Sequence, residues 1–199
     1  DLEDAKAMLR NHFDGTEHDP YTNGLNGNEP WRPISVFRTY ESHVMQVRPE
    51  LPQEIGEVTY VGLGMADLTA FVPYYSGLKA YPQHYAIGTD KADNDSIYWK
   101  YRKLQTLVMT DYPQFAPIVK KAYQEWEAKT ALEQKEMEAN YLSMSKKNKA
   151  AADNMLNEFN LRVMADAEQL TENLTNQLFT LKTKNIQDEI FFANQSKKD

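Results

Sequence analysis

Arg38, Glu41, Ser42 and His43 stand close together in the run Ile34 to Arg48 and offer a guanidinium, a carboxylate, a hydroxyl and an imidazole. Groups of these kinds held on a rigid element can line a substrate pocket. They can equally form a buried structural network, because polar side chains inside a fold must be paired. The other histidines, His12, His18 and His84, are scattered, which leaves His43 as the one in a rigid polar setting. A lone histidine is more often a hydrogen-bonded core residue than a catalyst, so both readings stay open. Asp67, after Gly62-Leu63-Gly64, and Tyr74, in Tyr74-Tyr75, are further polar candidates close by.

Two strands would position these groups. Ile34 to Arg48 is rich in β-branched and aromatic residues and runs unbroken to Pro49. Glu57 to Gly64 reads as its partner, joined through Pro49, Pro52 and Gly56, so an antiparallel hairpin is expected over about residues 34–64. Strict alternation places Arg38 and Ser42 on one face and Glu41 and His43 on the other, and neither face is cleanly apolar. Leu68 to Tyr75 reads as a third extended segment. Gly62-x-Gly64 lacks the third glycine and the following helix of a dinucleotide fingerprint.

The flanking chain reads as helix and loop. Residues 1–13 suggest an amphipathic helix with Leu2, Ala5, Leu9 and Phe13 toward one face, stopped at Asp14-Gly15. Residues 16–33 form a long loop, in which Asp19, Asn23, Asn26 and Asn28 offer oxygens without the spacing of a calcium loop. After a connection over 78–93, a helix is expected over about 95–110, with Asp93 or Asn94 as its cap. Apolar residues at steps of three and four then predict a long helical hairpin over about 113–184, thinning beyond Lys129 to a more exposed stretch. Residues 185–199 read as a tail.

The chain has 199 residues and a formal net charge of −7, which disfavours nucleic acid and anionic membrane as partners. Its apolar runs are too short for a membrane-spanning helix. It contains no cysteine, which removes disulfides, thiolate metal sites and a cysteine nucleophile from this chain. HExxH, GxSxG, a P-loop and a zinc-ligand cluster are all missing from it. The fold class expected from these patterns is helix-rich α+β. Because the first residue, Asp1, opens directly into a helical pattern, a fragment or processed chain is expected.

Longer runs carry a resemblance. Arg32 to Pro49, Ile55-Gly56, Tyr60-Val61-Gly62-Leu63-Gly64, Phe71-Val72-Pro73-Tyr74-Tyr75, Tyr98 to Leu104 and Thr110-Asp111-Tyr112-Pro113 resemble the C-terminal half of the bacterial dipeptidase A family of cysteine peptidases. The resemblance covers nearly the whole chain and is tightest from Arg32 to Pro117. It implies one hydrolase domain of which residues 1–199 are the C-terminal portion, within the four-layer αββα sandwich of the N-terminal-nucleophile hydrolases. It implies hydrolysis of dipeptides by a cysteine at a mature N-terminus whose own amine is the general base. No metal or other cofactor is implied, and a cytoplasmic location is.

With no cysteine here, the nucleophile would lie in an absent N-terminal half, which becomes the expected partner alongside the dipeptide substrate. The state of homo-oligomerisation stays open. No residue of this chain would be catalytic. Arg38 would bind a carboxylate, and Glu41 and His43 an amine or their neighbours, with Ser42, Asp67 and Tyr74 as further pocket candidates. The alternative from a different class is a non-enzymatic interaction module built on the helical hairpin.

Overall fold

The computed structural model describes residues 1–22 and 31–195, with side chains to Phe191. The elements in order are α1 (Leu2–Arg10), β1 (Glu41–Val47), α2 (Gln53–Gly56), β2 (Glu57–Leu63), β3 (Val72–Tyr75), α3 (Ile97–Val108), α4 (Tyr112–Ser145) and α5 (Lys149–Gln195). Short 3₁₀ turns lie at Ala66–Leu68 and Gln83–Ala86. The chain is thus a helix-rich α+β fold carrying a three-stranded antiparallel sheet in the order β1-β2-β3. Among the described residues no helix is long and apolar enough to cross a membrane.

The hairpin forms, but its first strand is half the expected length. Residues 34–40 are irregular because other groups satisfy their backbone. Ser35 N–H donates to the Asn11 carbonyl at 2.9 Å. The Tyr21 hydroxyl bridges the Ser35 carbonyl and the Phe37 N–H. Arg102 donates to the carbonyls of Phe37 and Thr39. A backbone whose donors and acceptors are met by side chains needs no ladder.

Register puts Glu41, His43, Met45 and Val47 on one face of the sheet, in line with Thr59, Val61 and Leu63 of β2 and with Val72 and Tyr74 of β3. Ser42, Val44 and Gln46 share the opposite face with Val58, Tyr60 and Tyr75. β2 stops just before Gly64, whose φ of +77° a residue with a side chain would resist. There the Gln105 amide is tucked against the turn, accepting from Met65 N–H and donating to the Leu63 and Leu68 carbonyls.

α4 and α5 form the antiparallel helical hairpin. Phe115, Val119, Tyr123, Met137 and Tyr141 of α4 are buried, as are Leu156, Val163, Met164, Ala167, Leu174 and Leu178 of α5. The second half of α4 is not simply exposed, as its thinning apolar stripe suggested. Glu127, Gln134 and Glu138 instead turn a polar row toward the sheet: Glu127 accepts the Phe71 N–H, Gln134 donates to the Tyr60 and Tyr75 hydroxyls, and Glu138 takes Arg48.

The ends differ from expectation too. α1 stops at Arg10, and Phe13 sits beyond it at φ +67° rather than on its apolar face. The only buried residue of α1 is Lys6, held over the Tyr60 ring. Asp93 accepts the N–H groups of Asp95 and Ser96, so it closes the turn that leads into α3. Residues 185–195, expected as tail, continue α5 as helix.

Candidate functional site

Placed on this fold, the candidate side chains from the strands do not converge. Arg38 is exposed ahead of β1. Glu41 and His43 are exposed neighbours on β1, with His43 Nδ1 2.7 Å from a Glu41 carboxylate oxygen. Ser42 points to the opposite face. Tyr74 shares the face of Glu41 and His43 two strands away, half-buried beside Tyr85. Burial, with Tyr101 next to it, pushes its phenol pKa up.

Asp67 is the candidate that lies in a built environment. It sits on the 3₁₀ turn after Gly64, 4% exposed, and its N–H donates to the Ser35 hydroxyl at 3.0 Å. Around its carboxylate stand His12 Nε2 at 3.2 Å, Lys120 Nζ at 2.7 Å and the Tyr112 hydroxyl, which donates to it. The His12 ring is also fully buried. Its Nδ1 lies 2.9 Å from Asp19 Oδ1, and its Nε2 lies 2.9 Å from an Asp14 oxygen and 2.9 Å from the Tyr112 hydroxyl.

The members arrive from separate parts of the chain. His12 follows the end of α1, Asp14 and Asp19 come from the turns after it, and Tyr112 and Lys120 come from the first turns of α4. The electrostatics are mutually supporting. Burial opposes a charged His12, yet Asp67, Asp14 and Asp19 outweigh it and its pKa is raised. Burial likewise opposes a charged Asp67, but His12, Lys120 and Tyr112 hold it below the usual carboxylate range. Asp19 is also held low, despite its burial, by the Tyr21 N–H, Thr22 and His12.

Among the described residues, His12, Asp14 and Asp67 are the group whose ligand atoms come within 4.8 Å of one another. The Lys120 ammonium bonds both Asp67 and Asp14, at 2.7 and 3.2 Å, and so supplies the positive charge such a group would otherwise call for. Asp67 and Lys120 also border a groove between α1 and α4, about 630 Å³ in volume, with Arg10 and Glu127 on its wall. Arg10 and Glu127 are paired at 2.5 Å. The chemistry available is therefore ion pairing and orientation. No side chain here has the unpaired, activated character of a nucleophile.

His12, Tyr112, Lys120 and Glu127 were missed by sequence reasoning. Tyr112 alone had a signal, since it lies in the Thr110 to Pro113 run that carries the resemblance. Asp19 belongs to this buried cluster rather than to an oxygen-rich loop, and Asn23, Asn26 and Asn28 lie outside the described residues.

Comparisons with known proteins bear on which chemistry this scaffold serves. The model for peptidase family C69 matches residues 1–125. A probable dipeptidase of Salmonella dublin is 57% identical over 87 residues, covering 44% of this chain and 19% of that protein. The probable dipeptidase A of Streptococcus pyogenes serotype M18 is 30% identical over 115 residues, covering 56% of this chain and 24% of that protein. The dipeptidase A of Lactobacillus helveticus is 28% identical over 115 residues, with the same coverage of each chain. The chain thus spans about a quarter or less of the length of these relatives.

Proposed function

Since the chain belongs to peptidase family C69, we propose that it is the C-terminal portion of a dipeptidase and works as one part of a longer hydrolase. The observation that carries this reading is the similarity to proteins named as dipeptidases, at 57% identity in the highest of the three. The chain has no cysteine. A cysteine nucleophile, with its own N-terminal amine as base, would come from the part of the protein beyond this chain, and this chain alone would be inactive.

Its role would be to complete the fold and one wall of the pocket. On the face that carries Glu41, His43, Met45 and Val47 the β1 row is open, with Met45 69% and Val47 68% exposed, while Val72 of β3 is buried on the same face. In the αββα arrangement a second sheet would stack on that face, about 10 Å away. Arg38 would then hold the carboxylate of a dipeptide, and Glu41 with His43 its amine, with Tyr74 on the same face, whereas Ser42, on the opposite face, stays outside this pocket. The buried cluster at Asp67 supports this wall as a positioning element. The helical hairpin is tied to the sheet through Glu127, Gln134 and Glu138, which speaks against its acting as a separate module.

The test is to combine this chain with the remainder of the longer protein. Dipeptide hydrolysis should appear with both parts and with neither alone. In the whole enzyme, Arg38→Ala and Glu41→Ala should each raise KM about tenfold, the effect of losing one charged contact. Activity in this chain by itself, or a longer protein with no processed N-terminal cysteine, would overturn the reading.

A further inference from the structure

The last part of α5 carries an apolar seam that no element covers among the described residues. Phe179, Ile186 and Ile190 are 67%, 43% and 58% exposed, and Thr183 between them is exposed as well. The steps along Phe179, Thr183, Ile186 and Ile190 are four, three and four. At about 100° per residue these side chains fall on one stripe. The stripe that α5 buries passes through Leu174 and Leu178 and lies roughly a third of a turn away. The exposed seam is therefore distinct from the contact with α4.

Alternating steps of four and three are the spacing of a two-stranded coiled coil. The flanks of the seam are charged on one side and neutral on the other. Lys182 and Glu189 border it on the same side, one heptad apart, while Thr180 and Gln187 border it on the other. We propose that this seam pairs antiparallel with the same seam of a second copy of the chain.

Charge selects both the direction and the register. With Thr183 set against the partner's Ile186 across a two-fold axis, Phe179 meets the partner's Ile190. Lys182 then stands beside the partner's Glu189, and the symmetric pair repeats this. A shift by one heptad either way would set Glu189 against the partner's Glu189, or Lys182 against the partner's Lys182. A parallel pair would place both charges opposite neutral residues. Because α5 continues without a break from the part packed on α4, which reaches to the Asn185–Gln114 contact, association does not carry the cost of helix nucleation. The contact is short, below the roughly 1,200 Å² of a standard interface, so the dimer is weak and depends on concentration.

Sedimentation equilibrium of the full chain, from low micromolar to submillimolar concentration, tests this. The wild-type chain should dimerise reversibly, and Ile186→Glu should stay monomeric throughout. Lys182→Glu and Glu189→Lys should each raise the dissociation constant about fivefold or more, and the double reversal should return it to the wild-type value. All these positions lie on the helix surface, and unchanged circular dichroism would show the variants folded. A monomeric wild type would overturn the proposal, including one whose seam is shielded only by the rest of the longer protein. So would an Ile186→Glu chain that still dimerises, or a double reversal as weak as the single ones. The outcome is independent of whether the longer protein hydrolyses dipeptides.

Discussion

Replacing Asp67 by asparagine removes the central charge of the buried cluster and leaves its shape nearly intact. The carboxylate now serves Lys120 at 2.7 Å, His12 at 3.2 Å and the Tyr112 hydroxyl. Lys120 keeps Asp14 at 3.2 Å, and His12 keeps Asp19 and Asp14, each at 2.9 Å. A hydrogen bond to a charged group contributes about 1.5–3 kcal/mol. The Lys120 share is reduced by its 28% exposure, and the amide oxygen still accepts weakly. The predicted loss is about 3 kcal/mol, in line with breaking one buried pair. With a urea slope of about 2–3 kcal/mol/M, the midpoint should fall by roughly 1–1.5 M.

The same variant has a pH signature. The raised pKa of His12 means that its contribution is fully present below its ordinary value of 6.5 and is lost as pH rises through the folded value. Asp67 and Asp19 are held low, so their contributions are present above 3.8 and are lost as pH falls through their folded values. In the Asp67→Asn variant, burial of His12 remains while its strongest charged neighbour is gone. The His12 pKa should drop back, and the decline in stability above pH 6.5 should flatten. Urea midpoints across about pH 4–9 for both chains measure this. A loss under about 0.5 kcal/mol, or an unchanged slope above neutrality, would refute the account of the cluster as a charge network.

Other changes separate the parts of the scaffold. Arg48→Ala breaks a bidentate pair with Glu138 at 2.7 and 2.9 Å and should cost about 3 kcal/mol in urea unfolding. Arg48→Lys should recover less than half of that, since an ammonium cannot reproduce the fork. Gly64→Ala places a methyl group at φ +77° against the Gln105 amide and should cost more than about 2 kcal/mol. Gly15→Ala, at φ +72° in open space, should cost only about 1 kcal/mol, and thermal unfolding of the two variants compares them. Glu41→Ala and His43→Ala should change the stability of this chain by less than about 0.5 kcal/mol, because their pair is exposed. A large loss there would make the pair structural rather than a wall of the pocket.

Periodic features were legible in the sequence, and features set by long-range pairing were not. The apolar steps of α4 and α5 announce a helical hairpin because each step of three or four lands on the same buried stripe. The β-branched run before Pro49 announces a strand, yet residues 34–40 are drawn out of the ladder by Tyr21, in the preceding loop, and by Arg102, 65 residues beyond Phe37. The polar row Glu127, Gln134 and Glu138 looks like a solvated face until the sheet supplies Phe71, Tyr75 and Arg48 as partners. His12 shows the limit most clearly. Asp14 and Asp19 are near it in sequence, but the partners that enclose it from the other side, Asp67 and Tyr112, are 55 and 100 residues away. His43 stands in the more suggestive context and is the exposed one.

The two faces of the sheet carry opposite solutions to polarity. Toward α1 and α4 the polar groups are numerous and mostly matched, as Tyr60 and Tyr75 with Gln134, and Arg48 and Tyr75 with Glu138, demonstrate, although Arg48 Nε is buried without a partner among the described residues. Toward solvent the β1 row begins with the Glu41–His43 pair and ends with Met45 and Val47, more than two-thirds exposed. An edge strand with an apolar half-row is a surface on which chains aggregate unless something covers it. Charge protects only the Glu41 end of the row. If a second sheet stacks here, Met45 and Val47 become its core contacts, and Glu41 and His43 fall at the margin, where a small polar substrate could still reach them. The same row would then serve assembly at one end and binding at the other. Met45→Asp should therefore abolish recombination with the rest of the protein, whereas Glu41→Ala should permit recombination and weaken only substrate binding. If Met45→Asp recombined normally, the open face would not be where the second sheet stacks.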